Sequence, residues 1–174
     1  FLGIQFEQML NTQSQQYPHS HQALDVIYQD AELVAINKPS GLLVHRSPID
    51  KRETRFAVQE LRNQLGQHVY PLHRLDKPTS GVLVFALSSE AASFYNEQFR
   101  EHQIHKTYLA LVRGHGPETM SIDHALKDEV DDYAGVKAGV EAKDALTNVK
   151  CLHQFDIPLT VDRYPTTRLS LMQC

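Results

Sequence analysis

The run His73-Arg74-Leu75-Asp76-Lys77-Pro78-Thr79-Ser80-Gly81 gathers a carboxylate, an imidazole, two cations and two hydroxyls, with a Pro and a Gly to set a turn. A carboxylate fixed on such a loop can act as a nucleophile, splitting one hard step into two easier ones. To do so near neutral pH it must stay ionised, which a nearby cation favours. Arg74 is the cation closest in sequence. The same residues also read as an ordinary surface turn, which Pro and Gly mark more often than they mark active sites.

The elements around this run can hold it still. Apolar, β-prone stretches lie on both sides, His68-Val69-Tyr70-Pro71-Leu72 before it and Gly81-Val82-Leu83-Val84-Phe85-Ala86-Leu87 after it. A polar loop mounted on two buried strands is a common way to fix a reactive side chain. Upstream, Asp25–Tyr28 and Leu33–Asn37 form a hairpin by length and turn chemistry. Lys38-Pro39-Ser40-Gly41 is a turn, and residues 42–45 a further strand. A helix is expected from Thr54, as its cap, to Leu65, with Gly66 stopping it and Phe56, Leu61 and Leu65 on one face. A second helix is capped by Ser88 or Ser89 and runs to about His102, burying Ala92, Tyr95 and Phe99. Further strands are expected at residues 107–113, 120–126, 148–155 and 168–172, with an exposed acidic connection over 127–143. Strands outnumber helices, so the fold class is α+β: a mixed, mostly antiparallel sheet with flanking helices.

With 174 residues, 41% of them hydrophobic and 22% charged, the chain has the balance of a soluble globular protein with one substantial core. Residues 1–22 read as a flexible lead-in and 23–174 as the working domain. No run is apolar enough to span a membrane, and the start lacks both an initiator Met and the basic leader of a secretory signal. Cys151 and Cys174 fit neither a metal spacing nor a disulfide framework, which suits a reducing cytoplasm. His102 and His105 share a helix side without a third ligand type, so no metal is expected. Residues 38–77 carry eight Lys or Arg against four acids, on a chain whose net charge is −4. A basic zone on an acidic protein fits a local polyanion site, and equally a mixed solvated surface.

Three ordered motifs give the chain a resemblance. Residues 73–81 match His-Arg-Leu-Asp-x-x-Thr-Ser-Gly, Asn37-Lys38-Pro39-Ser40-Gly41 with Val44-His45 match Asn-Lys-Pro-x-Gly with Val-His, and Lys106, Tyr108, Ala110, Val112 and Gly114 match Lys-x-Tyr-x-Ala-x-Val-x-Gly. Together they resemble pseudouridine synthases of the RluA type over residues 24–174, most closely a subgroup acting on tRNA. The resemblance implies an isomerase that turns a uridine into pseudouridine, by likeness uridine-65 in the T-arm stem, with Asp76 as nucleophile. It implies that Arg74 helps hold the target nucleotide out of its stack and that Tyr108 stacks on the flipped uracil. His73, Lys38, His45 and Lys77 become candidate RNA contacts, the last three as phosphate or loop-supporting groups. Thr79, Ser80, Gly81 and Lys106 support the loop. The partner is RNA, expected to be tRNA, acted on by a monomer without metal or cofactor, since no redox change or phosphate transfer occurs.

One part of the family pattern is absent. The segment Thr-Gly-Arg-x-His-Gln-Leu-Arg, whose first Arg is expected to pair with the nucleophile, would follow residues 167–172, and the sequence ends at Cys174. The expectation is therefore a domain incomplete at its C-terminal side, exposing a sheet edge or apolar surface. Ribosomal RNA as substrate, or RNA binding without catalysis, are the alternatives.

Overall fold

A computed structural model describes residues 23–46, 53–126 and 142–174. The lead-in over 1–22 and most of the acidic connection lie outside the described residues. The packing divides the chain into two units, the first ending at Glu97 and the second starting at Gln98 apart from a short upstream segment.

The first unit holds β1 (Asp25–Gln29), β2 (Leu33–Lys38), α1 (Ala57–Leu65), β3 (Tyr70–Pro71), β4 (Gly81–Ala86) and most of α2 (Ser89–Arg100). Its strands pair antiparallel in the order β1-β2-β4-β3. Asp30 closes the β1–β2 hairpin, its Oδ1 accepting the Glu32 and Leu33 amides at 2.8 and 2.7 Å, the local bonding that favours Asp in turns. Pairing of Val34 with Phe85 and Ile36 with Leu83 puts four apolar side chains on one face. Ala57 and Leu61 of α1 cover them, and Leu42, Val44, Val69 and Leu75 complete the core.

Helix α1 starts later than its sequence suggests. Thr54 does not cap it; Phe56 is the residue before the helix, extended and buried. The Ala57 and Val58 amides donate instead to the carbonyls of Leu43 and Val44, at 2.8 and 3.0 Å. The expected strand over 42–45 is thus no sheet member; it makes one parallel bridge, Leu43 to Phe56, and its carbonyls satisfy the orphan donors of the helix. At the other end Gly66 takes a left-handed φ of 68°. For α2, Ser88 is the cap, its Oγ accepting the Ala91 amide at 3.1 Å. The helix ends two residues before His102, which itself adopts φ 55°. His102 donates to Phe99 and Gln103 to Gln98, the paired bonds of a Schellman ending. Of its expected stripe, Ala92 is buried with Ala91, whereas Tyr95 and Phe99 are half-buried.

The second unit holds β5 (Leu109–Arg113), β6 (Thr119–Asp123), β7 (Leu146–Ile157) and β8 (Thr167–Gln173), antiparallel in the order β5-β8-β7-β6. The antiparallel α+β reading stands, with the strands falling into two four-stranded sheets rather than one. Strand β6 stops short of the expected residue 126, where Leu126 makes an isolated bridge to Lys143. The turn after β5 is fastened by fully buried Ser170, whose hydroxyl donates to Gly114 O at 2.8 Å and accepts the Gly116 amide at 2.9 Å. Leu109 and Leu111 on β5 are well exposed, as are Met120 and Ile122 on β6.

Candidate active site

The loop between β3 and β4 is built around a buried leucine. Leu75 is 7% exposed and belongs to the core, while Arg74 and Asp76 on either side of it are exposed. Both charged side chains therefore leave the protein from a backbone nailed down between them. The carbonyl of Asp76 accepts the Thr79 amide at 3.0 Å, closing a turn over Lys77 and Pro78. Gly81 ends the loop at φ 125°, a region that L side chains rarely adopt.

His73 fixes the other end. Where β3 stops pairing, the Leu72 amide reaches Val84 O at 3.0 Å, and the Val84 amide donates to His73 Nε2 at 3.2 Å. The imidazole thus continues the ladder for one more bond. That engagement, with half-burial, makes His73 an anchor of the strand end.

The turn after β2 braces the loop from below. Gly41 donates to Lys77 O at 2.7 Å, and Ser40 Oγ donates to Pro78 O at 2.7 Å. Lys38 has no exposed surface; its ammonium donates to Leu42 O at 2.7 Å, Pro39 O at 3.0 Å and Lys77 O at 3.4 Å. Two roles are expected for Lys38, phosphate contact or loop support; the buried ammonium has its three donors on carbonyls and none on the surface. Burial pushes the Lys38 ammonium below the usual lysine range, and the charge of Asp76 opposes that shift. Lys77 is paired with Glu53 at 2.6 Å. With both partners over a third exposed, such a pair contributes about 0–1 kcal/mol, so a phosphate can compete for the cation. His45 is exposed, and neighbouring Arg46 lies over the Phe56 ring, 5.6 Å from its centroid. Ser80 is exposed and Thr79 half-buried.

The third motif belongs to the second unit. Tyr108 exchanges two backbone bonds with Cys174, at 2.8 and 2.9 Å, and its ring is 40% exposed. Lys106 is exposed and lines a hollow with Lys150, Ser121, Asn148, Gln173 and Cys174. That hollow holds no residue of the 73–81 loop and lies where β7 passes from pairing with β6 to pairing with β8, at Lys150. Among the described residues no group of three or more His, Cys, Asp or Glu is placed to hold a metal ion, and no helix is long and apolar enough to cross a membrane.

Leu75 and Ser40 lie within the motifs, but the sequence assigns neither a role. A lone leucine inside a polar run was the available signal for the first; the second has no local signal, because its acceptor lies far along the chain.

The loop thus presents an exposed carboxylate on a doubly braced, strand-mounted turn, and the comparisons agree with the motifs. The family model described as RNA pseudouridylate synthase matches residues 32–174, and the chain belongs to that family. It is 53% identical over 152 residues to a protein of Vibrio parahaemolyticus named tRNA pseudouridine synthase C, a match covering 86% of this chain and 62% of the relative. A Haemophilus ducreyi protein of the same name is 51% identical over 153 residues with the same coverage. The solved structure of Human RNA Pseudouridylate Synthase Domain Containing 1 is similar with a TM-score of 0.64 at 26% identity, over 90% of this chain and 61% of that one. The chain thus spans less than two thirds of the length of these relatives.

Proposed function

We propose that this chain carries the nucleophile of an RNA pseudouridine synthase that isomerises a uridine in a tRNA stem, by resemblance uridine-65 of the T-arm. The observation that carries the reading is Asp76: an exposed carboxylate on a turn anchored by Leu75 and braced by residues 38–41. The reaction breaks the bond from N1 of the base to C1′ of the ribose and forms one from C5 to C1′. The proton lost from C5 is balanced by the one gained at N1, so the step needs no oxidant, metal or organic cofactor. Asp76 contributes by covalent attack, at C6 of the uracil or at C1′, which holds one fragment while the base turns. The target must leave its stack first, at a cost of a few kcal/mol. Arg74, exposed one residue from the anchor, supports that displacement, and the stacking role of Tyr108 is carried by the resemblance alone.

The test is pseudouridine formation in separate tRNA and ribosomal RNA transcripts, with the native chain and with Asp76→Ala. Product in tRNA, abolished by the substitution, is expected. Product confined to ribosomal RNA refutes the tRNA assignment. No product from the native chain, with RNA binding equal to that of Asp76→Ala, makes this a binding module instead.

A further inference from the structure

The hairpin that joins β7 to β8 carries the run Arg163-Tyr164-Pro165-Thr166-Thr167-Arg168, which lies outside the three motifs. Its tip is tight. Val161 and Tyr164 exchange both backbone hydrogen bonds, at 3.0 and 3.1 Å, leaving Asp162 and Arg163 as the two turn residues. Asp162 takes a left-handed φ of 55°, a region that suits Asp better than most residues other than Gly. Behind the tip the buried Thr167 donates its hydroxyl to Leu159 O at 2.8 Å, which closes the base of the hairpin. On this rigid support the Arg163 guanidinium lies over the Tyr164 ring, 5.2 Å from its centroid, and its Nη2 donates to the Tyr164 hydroxyl at 3.1 Å. Neither the ring nor the hydroxyl neutralises the cation, and Tyr164 stays 51% exposed.

A tip that only turned the chain would not need this pair, since holding a long cation over an exposed ring costs side-chain entropy. Further arginines stand at the same end of the sheet. Arg113 is the last residue of β5, Arg168 is the second of β8, and the Gly114 amide joins them by donating to Arg168 O at 2.8 Å. The acids of the hairpin and of the β7 end are Asp162 and Asp156, and Asp156 is engaged by His115 at 3.1 Å. We propose that the Arg163–Tyr164 pair is a docking platform for an unpaired nucleotide of the RNA substrate other than the uridine that reacts: the base stacks on the pair, and Arg163 meets the adjoining phosphate. Unpaired bases splayed out of an RNA helix are held on aromatic rings and guanidinium planes, and every base has a face that can use such a platform. The pair is assembled before RNA arrives, so docking orders little that is not already ordered. The inference rests on the reading of this chain as an RNA pseudouridine synthase, and its test separates the two.

The chain has no tryptophan, so Tyr164→Trp places a single reporter at the tip. Its emission is expected to be quenched by a hairpin RNA with an unpaired loop, and far less by a blunt RNA duplex of equal length at the same fraction bound. Equal quenching by the two overturns the stack. Tyr164→Ala is expected to weaken binding of a tRNA transcript by about tenfold, the scale of losing one base–aromatic stack, and Tyr164→Phe to bind as the native chain does. Arg163→Ala is expected to weaken binding and to reduce the slope of log affinity against log salt by about one. The thermal midpoint, and the single-turnover rate at saturating RNA, are expected to stay at their native values in each variant. Native affinity in both alanine variants overturns the proposal and leaves the isomerase reading intact. Weaker binding that comes with a lowered thermal midpoint also overturns it, because the pair is then a brace for the hairpin. A native chain that shows the loop-selective quenching and the affinity losses, yet forms no pseudouridine, keeps the platform and removes the isomerase reading instead.

Discussion

Truncating Leu75 tests whether the loop is held by its buried residue or by its polar bonds. The side chain is 7% exposed and packs within the core formed by β2, β4 and α1. Leu75→Ala removes three carbons, about 2.4 kcal/mol at roughly 0.8 kcal/mol for each buried methylene. A residual cavity raises the cost, and buried Leu→Ala substitutions fall at about 2–5 kcal/mol. Where the loss falls within that range depends on how far the loop collapses, and collapse moves Asp76. A small loss of stability should therefore come with a large loss of activity, and a large loss with a smaller one.

Urea denaturation reads the first quantity as a shift in midpoint at constant slope, and single-turnover isomerisation reads the second. Leu61→Ala, in α1 with no exposed surface, is the comparison. It should cost at least as much stability and leave the single-turnover rate of the folded fraction alone. Leu75→Met conserves volume and should cost less than about 1.5 kcal/mol. A Leu75→Ala chain that loses under about 1 kcal/mol, below the usual cost of such a truncation, and keeps its full rate would refute Leu75 as the anchor. Amide exchange at Thr79, whose donor closes the turn, reads the same anchoring without RNA.

Gly81→Ala should destabilise by about 1–3 kcal/mol through backbone strain alone, because φ is 125° and a Cβ there meets nothing within 4 Å; thermal melting checks it, and an unchanged midpoint contradicts the strained backbone. The hairpin tip should loosen in acid. The Tyr28 hydroxyl, then the Glu32 and Leu33 amides, hold Asp30 below its usual carboxylate range. The stabilisation is thus complete at neutral pH and lost as pH falls through that lowered value. Amide exchange of Glu32 and Leu33 across that range, corrected for intrinsic rates, should reveal the loss, and Asp30→Asn should abolish the transition.

Local chemistry made several elements readable from the sequence. The β1–β2 hairpin follows from two β-prone runs joined by an Asp-bearing turn, and the Ser88 cap and Gly66 stop follow from side chains that act where they stand. What escaped was set at long range. The first amides of α1 are satisfied by carbonyls from residues 43 and 44, so no cap residue announces the start. His102 takes a left-handed φ without being glycine, hiding the end of α2. The division into two sheets was equally invisible, since alternation within a strand does not say which sheet the strand joins. Lys38 is the instructive miss. Its type reads as surface, yet Val34, Ile36 and Lys38 fall on the same side of β2 at a period of two, and the first two are core. The strand's parity pointed inward for Lys38, and only the prior against buried lysines hid it.

That parity also explains why two motifs nearly forty residues apart act as one object. A strand whose inward-facing series ends in a lysine delivers an ammonium to the end of the ladder, opposite Gly81, where the loop rejoins the sheet. The turns that carry Ser40 and Asp76 then have a common bonding partner, and the Asp76 carboxylate can be exposed without being mobile: Leu75 fixes its backbone from the core, His73 ties the chain to β4, and the 38–42 turn bears on the two residues that follow. An exposed carboxylate so fixed avoids the desolvation cost that burial imposes on a charge. Rigidity comes from the protein side of the loop and access from the other, which is why the residues of this motif alternate between exposed charge and buried anchor.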